Sequence, residues 1–237
     1  MLTIVMLPGM EGSGTFFSPL IEALGSSIET QVIAYPPDQA MNYAQLTQFV
    51  EQSLPKDSPY VLLGESFSGP IAVLIAAARP AGLQAIILVC SFVCPPIPIP
   101  KAFRNIVSTF PIRLIPKIII SRYLLGDYAT KAMTARLGIA MSKVGVKVWR
   151  ERLLSILNVN VKKELSEIDV PFLYLRASQD KIVPKSASEQ ISLLKPSIIV
   201  TEIEGAHFVL QTNPTAPASA ILGFLTDFGI MPEMQRH

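Results

Sequence analysis

Short apolar runs bounded by turn residues recur through the N-terminal part of the chain, and the stretches between them carry apolar positions at helical spacing. The runs are Thr3–Leu7, Gln31–Tyr35, Tyr60–Gly64 and Gln84–Ser91. They are nearly continuous in apolar residues, as strands covered on both faces are. Phe17–Leu24, Tyr43–Leu54 and Gly69–Ala78 read as helices between them. Such alternation predicts βαβ units, whose right-handed crossovers build a parallel sheet with helices on both sides.

After Ser91 the pattern breaks. Pro95, Pro96, Pro98, Pro100, Pro111 and Pro116 crowd together, and proline at that density stops any regular element. Helical spacing returns from Ile118 to Leu157, and the βα pattern resumes with Phe172–Arg176, Ile198–Ile203 and a terminal helix around Thr215–Phe228. The expected fold class is therefore α/β: a mostly parallel central sheet flanked by helices. Its core domain comprises residues 1–92 and 164–237, interrupted by a helical cap at residues 93–163. At 237 residues the chain suits one large domain with such an insertion.

Composition sharpens this picture in two places. Half the residues are apolar and 16% are charged, for a net charge of +2, yet the charge is unevenly spread. Lys101 to Arg150 holds ten basic residues against the single acid Asp127, a net +9, while the remainder is −7. The most apolar stretch, Leu83 to Pro100, ends in prolines and does not read as a membrane span. Met1 is followed directly by a strand and its turn rather than by an export signal, so a cytoplasmic location is expected. Cys90 and Cys94 lack C-x-x-C spacing and read as buried reduced thiols near a strand end.

The run Tyr60–Gly64 leads into Gly64-Glu65-Ser66-Phe67-Ser68-Gly69 and then into a small-residue helix. This is the arrangement of a nucleophile elbow, a serine on a tight strand-to-helix turn with its Oγ lifted clear of the sheet. Gly64 supplies the small residue needed before the serine; Ser68 stands where a second glycine is usual. A serine needs a base, and histidine suits that task near neutral pH. There are only two histidines, His207 and the terminal His237, and His207 follows the last expected strand. The acid that orients such a base is expected at Asp180, in the loop after Phe172–Arg176, whereas Asp169 precedes that strand and would lie at the opposite sheet edge. Backbone N–H groups of Phe67 and Met10 are the expected donors to an oxyanion, Met10 because it follows Gly9 in the glycine-rich loop Leu7–Gly14.

In order and spacing these segments resemble the α/β-hydrolase superfamily over almost the whole chain. Leu7-Pro8-Gly9-Met10-Glu11-Gly12 resembles the Leu-Pro-Gly-x-Asp-Gly form of its oxyanion loop. The resemblance implies a sheet-minimal serine hydrolase that starts at the third strand of the full fold, lacks the leading hairpin and carries a helical cap. It implies Ser66 as nucleophile, His207 as base and Asp180 as acid, cleaving carboxylic esters through an acyl-enzyme without cofactor or metal. Thioesterase and acyltransferase chemistry fit the same three residues, as does a non-catalytic binding protein of this fold. A dinucleotide site is disfavoured, since the glycines run G-x-x-G-x-G.

Apolar cap residues, Phe103, Phe110 and Trp149 among them, are the candidate substrate contacts for an apolar acyl group. A small-molecule acyl ester is the expected partner, with no nucleic acid. The basic cap has two readings: solvated helix faces, or a surface that meets an anionic lipid interface or a negatively charged acyl carrier.

Overall fold

The computed structural model describes residues 2–97, 99, 100, 102, 104, 106 and 116–231. Six strands, β1 Thr3–Leu7, β2 Glu29–Val32, β3 Tyr60–Glu65, β4 Leu83–Val89, β5 Phe172–Ala177 and β6 Ile199–Ile203, form one sheet in the order β2-β1-β3-β4-β5-β6. Every neighbouring pair is parallel. The continuous apolar runs follow from this geometry, because alternate residues of each strand serve opposite cores. Val5, Leu7, Leu62, Ile86 and Leu88 pack on one face; Ile4, Met6, Val61, Leu63 and Ile87 pack on the other.

Helices α1 Ser18–Leu24, α2 Tyr43–Glu51 and α3 Gly69–Ala77 connect the first four strands. Asn42 caps α2 in a reciprocal capping box with Gln45. Between β4 and β5 the described residues include helices α4 Lys117–Leu125, α5 Lys131–Lys143, α6 Val146–Asn158 and α7 Lys162–Ser166. Val161 N–H donates to Val93 O at 2.9 Å, so the chain leaves and rejoins the sheet region at one place. Helices α8 Lys185–Leu194, α9 Val209–Thr212 and α10 Thr215–Asp227 complete the chain.

Two details depart from the sequence reading. The second strand pairs as Glu29–Val32, not Gln31–Tyr35, with register Thr3↔Glu29 to Met6↔Val32. Ile33 is buried just past the paired residues, with its N–H still donating to Met6 O of β1 at 3.1 Å, and Tyr35 is buried further on, where its N–H donates to Gly12 O at 2.8 Å. Tyr35 is tied to the loop after β1 rather than to a strand, a distinction that apolar character alone does not make. Helix α8 was also unanticipated; of its ten residues only Ser188 and Ile191 are fully buried, which leaves a weak periodic signal.

Because all strands run the same way, the loops leaving Leu7, Glu65, Val89, Ala177 and Ile203 gather at one sheet edge. Ligands of open α/β sheets bind outside that carboxyl edge.

Candidate active site

Ser66 sits at the end of β3 with φ +49°, a left-handed conformation that non-glycine residues rarely adopt. Close packing holds it there. A Cβ on Gly64 would come within 2.8 Å of Ser68 O, and one on Gly69 within 1.7 Å of Ser91 Oγ. Helix α3, with Pro70 in its first turn and Ala72 facing Gly64, can therefore pass close to the strand. Ser66 is half-buried, while the groups beneath it are buried.

His207 Nε2 lies 2.8 Å from Ser66 Oγ, and its Nδ1 lies 2.8 Å from Asp180 Oδ2. Asp180 Oδ1 accepts from the backbone N–H of Ile182 at 2.8 Å and of Val183 at 2.9 Å. Burial alone would raise the Asp180 pKa, but adjacent His207 and the hydrogen bonds from His207, Val183 and Ile182 outweigh it, leaving the carboxyl below its usual value. With a charged acceptor on one side, the neutral ring carries its proton on Nδ1 and turns a free Nε2 toward Ser66. The structure thus brings Ser66, Asp180 and His207 together from three loops. Asp169 instead pairs with Arg79 in an exposed ion pair.

The two candidate oxyanion peptides are each fixed at the carbonyl end. Ser91 Oγ donates to Ser66 O at 2.6 Å, and in a planar trans peptide this aims Phe67 N–H the opposite way. Gly12 N–H donates to Gly9 O at 3.0 Å, closing a turn with Met10 and Glu11 at its centre and doing the same for Met10 N–H. Gly12 has φ +77°, which explains glycine at that position.

Ser68, in place of the usual glycine, has its own work: its Oγ donates to Pro8 O and receives the Tyr35 hydroxyl at 2.6 Å. The elbow and the loop after β1 are thereby tied together. Tyr43 stacks on Phe67 at 4.9 Å and donates to Phe67 O at 3.0 Å.

Several further groups at the site were not foreseen from sequence. Glu65, beside the serine, is buried and accepts from Gln211 Nε2 at 2.9 Å. Burial pushes its pKa up to about 7, against lowering by the Gln211 bond and by His207. Glu11 is buried too, accepting from Ser13 N–H at 2.7 Å and Gly14 N–H at 3.4 Å. Cys90, with φ +48°, is buried beside the acid, and its sulfur, Asp180 and His207 place their donor atoms within 4.8 Å of one another. Burial and nearby Asp180 push the Cys90 thiol well up, so it stays protonated. Cys90 is thus buried as its sequence reading expected, whereas Cys94 is only half-buried, donating from Sγ to Gln190 Oε1 at 2.8 Å. A glutamate next to a motif serine carries no signal of burial in the sequence; only its seat between loops distant in the chain reveals it.

Of the expected substrate contacts, Phe103 and Phe110 lie outside the described residues. Trp149 is buried, donates from Nε1 to Met141 O at 3.3 Å and packs with Val144 and Val148 against Met10. It borders the loop after β1. Phe208, next to the histidine, lies 5.5 Å from Phe16 and donates from N–H to Leu124 O of α4 at 2.9 Å.

Residues 33–197 match the hydrolase family described as serine aminopeptidase, S33. The chain belongs to this α/β-hydrolase family. The matched span contains Ser66 and Asp180. A putative carbamate hydrolase RutD of Serratia proteamaculans is 24% identical over 94% of this chain and 90% of its own length. Among solved structures, the enol-lactonase of Burkholderia xenovorans LB400 superposes with a TM-score of 0.81 at 14% identity, over 94% of this chain and 91% of that one. An esterase of Exiguobacterium antarcticum reaches 0.79 at 12% identity, over 95% and 92%. The α/β-hydrolase fold expected from the sequence is thus the fold observed.

Proposed function

We propose that this hydrolase is a serine esterase that cleaves carboxylic esters through an acyl-enzyme, with Ser66 as nucleophile, His207 as base and Asp180 as acid. The observation that carries the reading is the unbroken relay Asp180–His207–Ser66, with 2.8 Å at both links. In this scheme His207 Nε2 takes the Ser66 proton as Oγ attacks the ester carbonyl, and ionised Asp180 stabilises the imidazolium. The oxygen that gains negative charge is held by the N–H groups of Phe67 and Met10. Collapse expels the alcohol, which takes the proton from His207. Water, activated by the same base, then releases the acid.

Residues 93–163 act in this reading as a cap over the site, and its apolar side chains receive the acyl group. Exposed apolar residues of this segment support a second element of the proposal, contact with an anionic lipid surface. Ile118, Ile119 and Tyr123 of α4 and Ile139 of α5 are exposed in a segment whose charge is strongly basic. Among the described residues no helix is long and apolar enough to cross a membrane, so such contact would be peripheral.

The test is labelling with a fluorophosphonate, followed by p-nitrophenyl esters of increasing chain length, a lactone, a carbamate, a thioester and an amino-acid p-nitroanilide. Covalent labelling at Ser66 together with fastest turnover of esters is expected. Labelling with preference for another acyl class keeps the nucleophile and corrects the substrate; absence of labelling overturns the reading.

A further inference from the structure

The largest fully buried side chain in the described structure is an arginine. Arg152 lies on α6, in the segment between β4 and β5, and is 1% exposed. Burying a guanidinium is costly unless its charge and donors are matched, and burial does lower the Arg152 pKa. Its partners all lie in the loops after β1 and β2. Nη1 donates to Met10 O at 2.8 Å and Nη2 to Pro36 O at 3.2 Å. The guanidinium stands 5.7 Å from the Tyr35 ring centre and is attracted by Glu11. Its Nε has no hydrogen-bond partner among the described residues, so the side chain is held by its two outer nitrogens alone.

The loop is shaped around this group. A Cβ at Gly12 would lie 2.6 Å from Arg152 Nη1, 2.8 Å from Nη2 and 3.0 Å from Cζ. Gly12 therefore supplies both a positive φ and the space the guanidinium occupies. Met10 O belongs to the peptide immediately after the one bearing Met10 N–H. Ser68 holds Pro8 O from the elbow side, Gly12 holds Gly9 O within the turn, and Arg152 holds Met10 O from the cap side. Three successive carbonyls are pinned, and the third anchor comes from 142 residues away. Gly145 N–H to Pro37 O at 2.8 Å adds a backbone tie between the same two regions.

We propose that Arg152 is a positioning residue for catalysis: through Met10 O it sets the orientation of the Met10 peptide, so that helix α6 completes the oxyanion hole. This rests on the reading of Ser66 as nucleophile and Met10 N–H as oxyanion donor. Loss of the anchor lets the turn relax and misaims one donor, while the relay among Asp180, His207 and Ser66 stays intact. The effect belongs to the transition state, since the donor is aimed at charge that exists only there.

The experiment compares wild type, Arg152→Met and Arg152→Lys on one soluble p-nitrophenyl ester, with active sites counted by fluorophosphonate titration well below the melting temperature. Affinity for a boronic acid that forms a tetrahedral adduct on serine is measured in parallel. Removing an oxyanion donor outright costs about 100- to 1,000-fold in kcat, so misaiming one is expected to cost Arg152→Met roughly 10- to 100-fold. KM should stay within about twofold, and boronate affinity should weaken by the same factor as kcat/KM. Arg152→Lys keeps the charge but not the two-nitrogen grip, and should fall between the two. A folded Arg152→Met with wild-type kcat, or a loss confined to KM, overturns the proposal. So does a kcat loss without matching boronate weakening, and so does failure of both variants to fold, which assigns Arg152 to folding alone. A wild type that resists the fluorophosphonate removes the underlying reading instead, and is seen before any variant is made.

Discussion

Replacing Glu65 by Gln should change how stability depends on pH, with a sign and size that follow from its burial. The carboxyl ends strand β3, is 6% exposed and is pushed from 4.5 up to about 7 by desolvation. Gln211, His207 and the Gly9 amide lower it, and Glu11 raises it further. At pH 4 the group is mostly protonated both folded and unfolded, so its contribution is small. Between 4.5 and 7 the unfolded chain has released the proton while the folded chain still holds it, so stability falls as pH rises. Above 7 the full penalty is present. A shift of that size corresponds to about 3 kcal/mol at 1.36 kcal/mol per pKa unit. Glutamine keeps the shape and an acceptor for Gln211 Nε2 but has no proton to lose. Urea unfolding at steps from pH 4 to pH 8.5 should therefore show Glu65→Gln gaining about 3 kcal/mol on the wild type across that range, whatever the offset at pH 4. Asp180 has the opposite sign: its depressed pKa gives stability that is present above the ordinary carboxylate value and lost as pH falls through the folded one. It acts at the acid end and does not mimic the Glu65 effect above pH 5. Parallel curves for the two proteins between pH 5 and 8 would refute the reasoning and mean that Glu65 titrates as an ordinary exposed carboxyl.

Ser66→Ala and His207→Ala should each lower ester hydrolysis by about 10⁴- to 10⁶-fold with circular dichroism unchanged, and the double variant should be little worse, because the three groups act as a unit. Asp180→Asn should cost about 10⁴-fold by allowing the wrong tautomer; full activity in that variant would move the acid elsewhere, and the next acid considered, Asp127, is exposed. Ser91→Ala removes one of the two donors to Ser66 O, leaving the Gly69 N–H, and should lower both kcat, by roughly tenfold, and stability, by about 0.5–1.5 kcal/mol for the one hydrogen bond lost, as read by steady-state kinetics and urea unfolding. If the basic cap meets anionic lipid, hydrolysis of lipid-presented ester should fall steeply with salt while a small neutral ester is unaffected, and neutralising Arg113 and Lys117 should abolish the difference; equal salt dependence for both substrates would leave that face merely solvated.

Much of this molecule was legible in the sequence because the relevant signals are local. Strands buried on both faces must be apolar throughout, so β1, β3, β4 and β5 announce themselves within a residue or two at each end. A serine lifted from a strand end needs small neighbours, and Gly64 and Gly69 sit where a Cβ would collide. With two histidines in the chain, one of them terminal, the candidate base was nearly decided by inventory. The tertiary structure decided what depends on which loops the sheet order brings to one edge. Edge strand β2 pairs earlier than its apolar residues suggest, because the buried Tyr35 is held by the loop after β1 rather than by the ladder. Nothing in the sequence marks Glu65, Glu11 and Arg152 as buried, yet all three are buried around the loop after β1 and Glu65 meets Gln211 across 146 residues. Ser68, a small departure from the motif, becomes the hydroxyl that joins elbow to loop. Local patterning reports the period and the turns of a chain, but whether a charged side chain can be buried depends on partners that only the folded arrangement supplies.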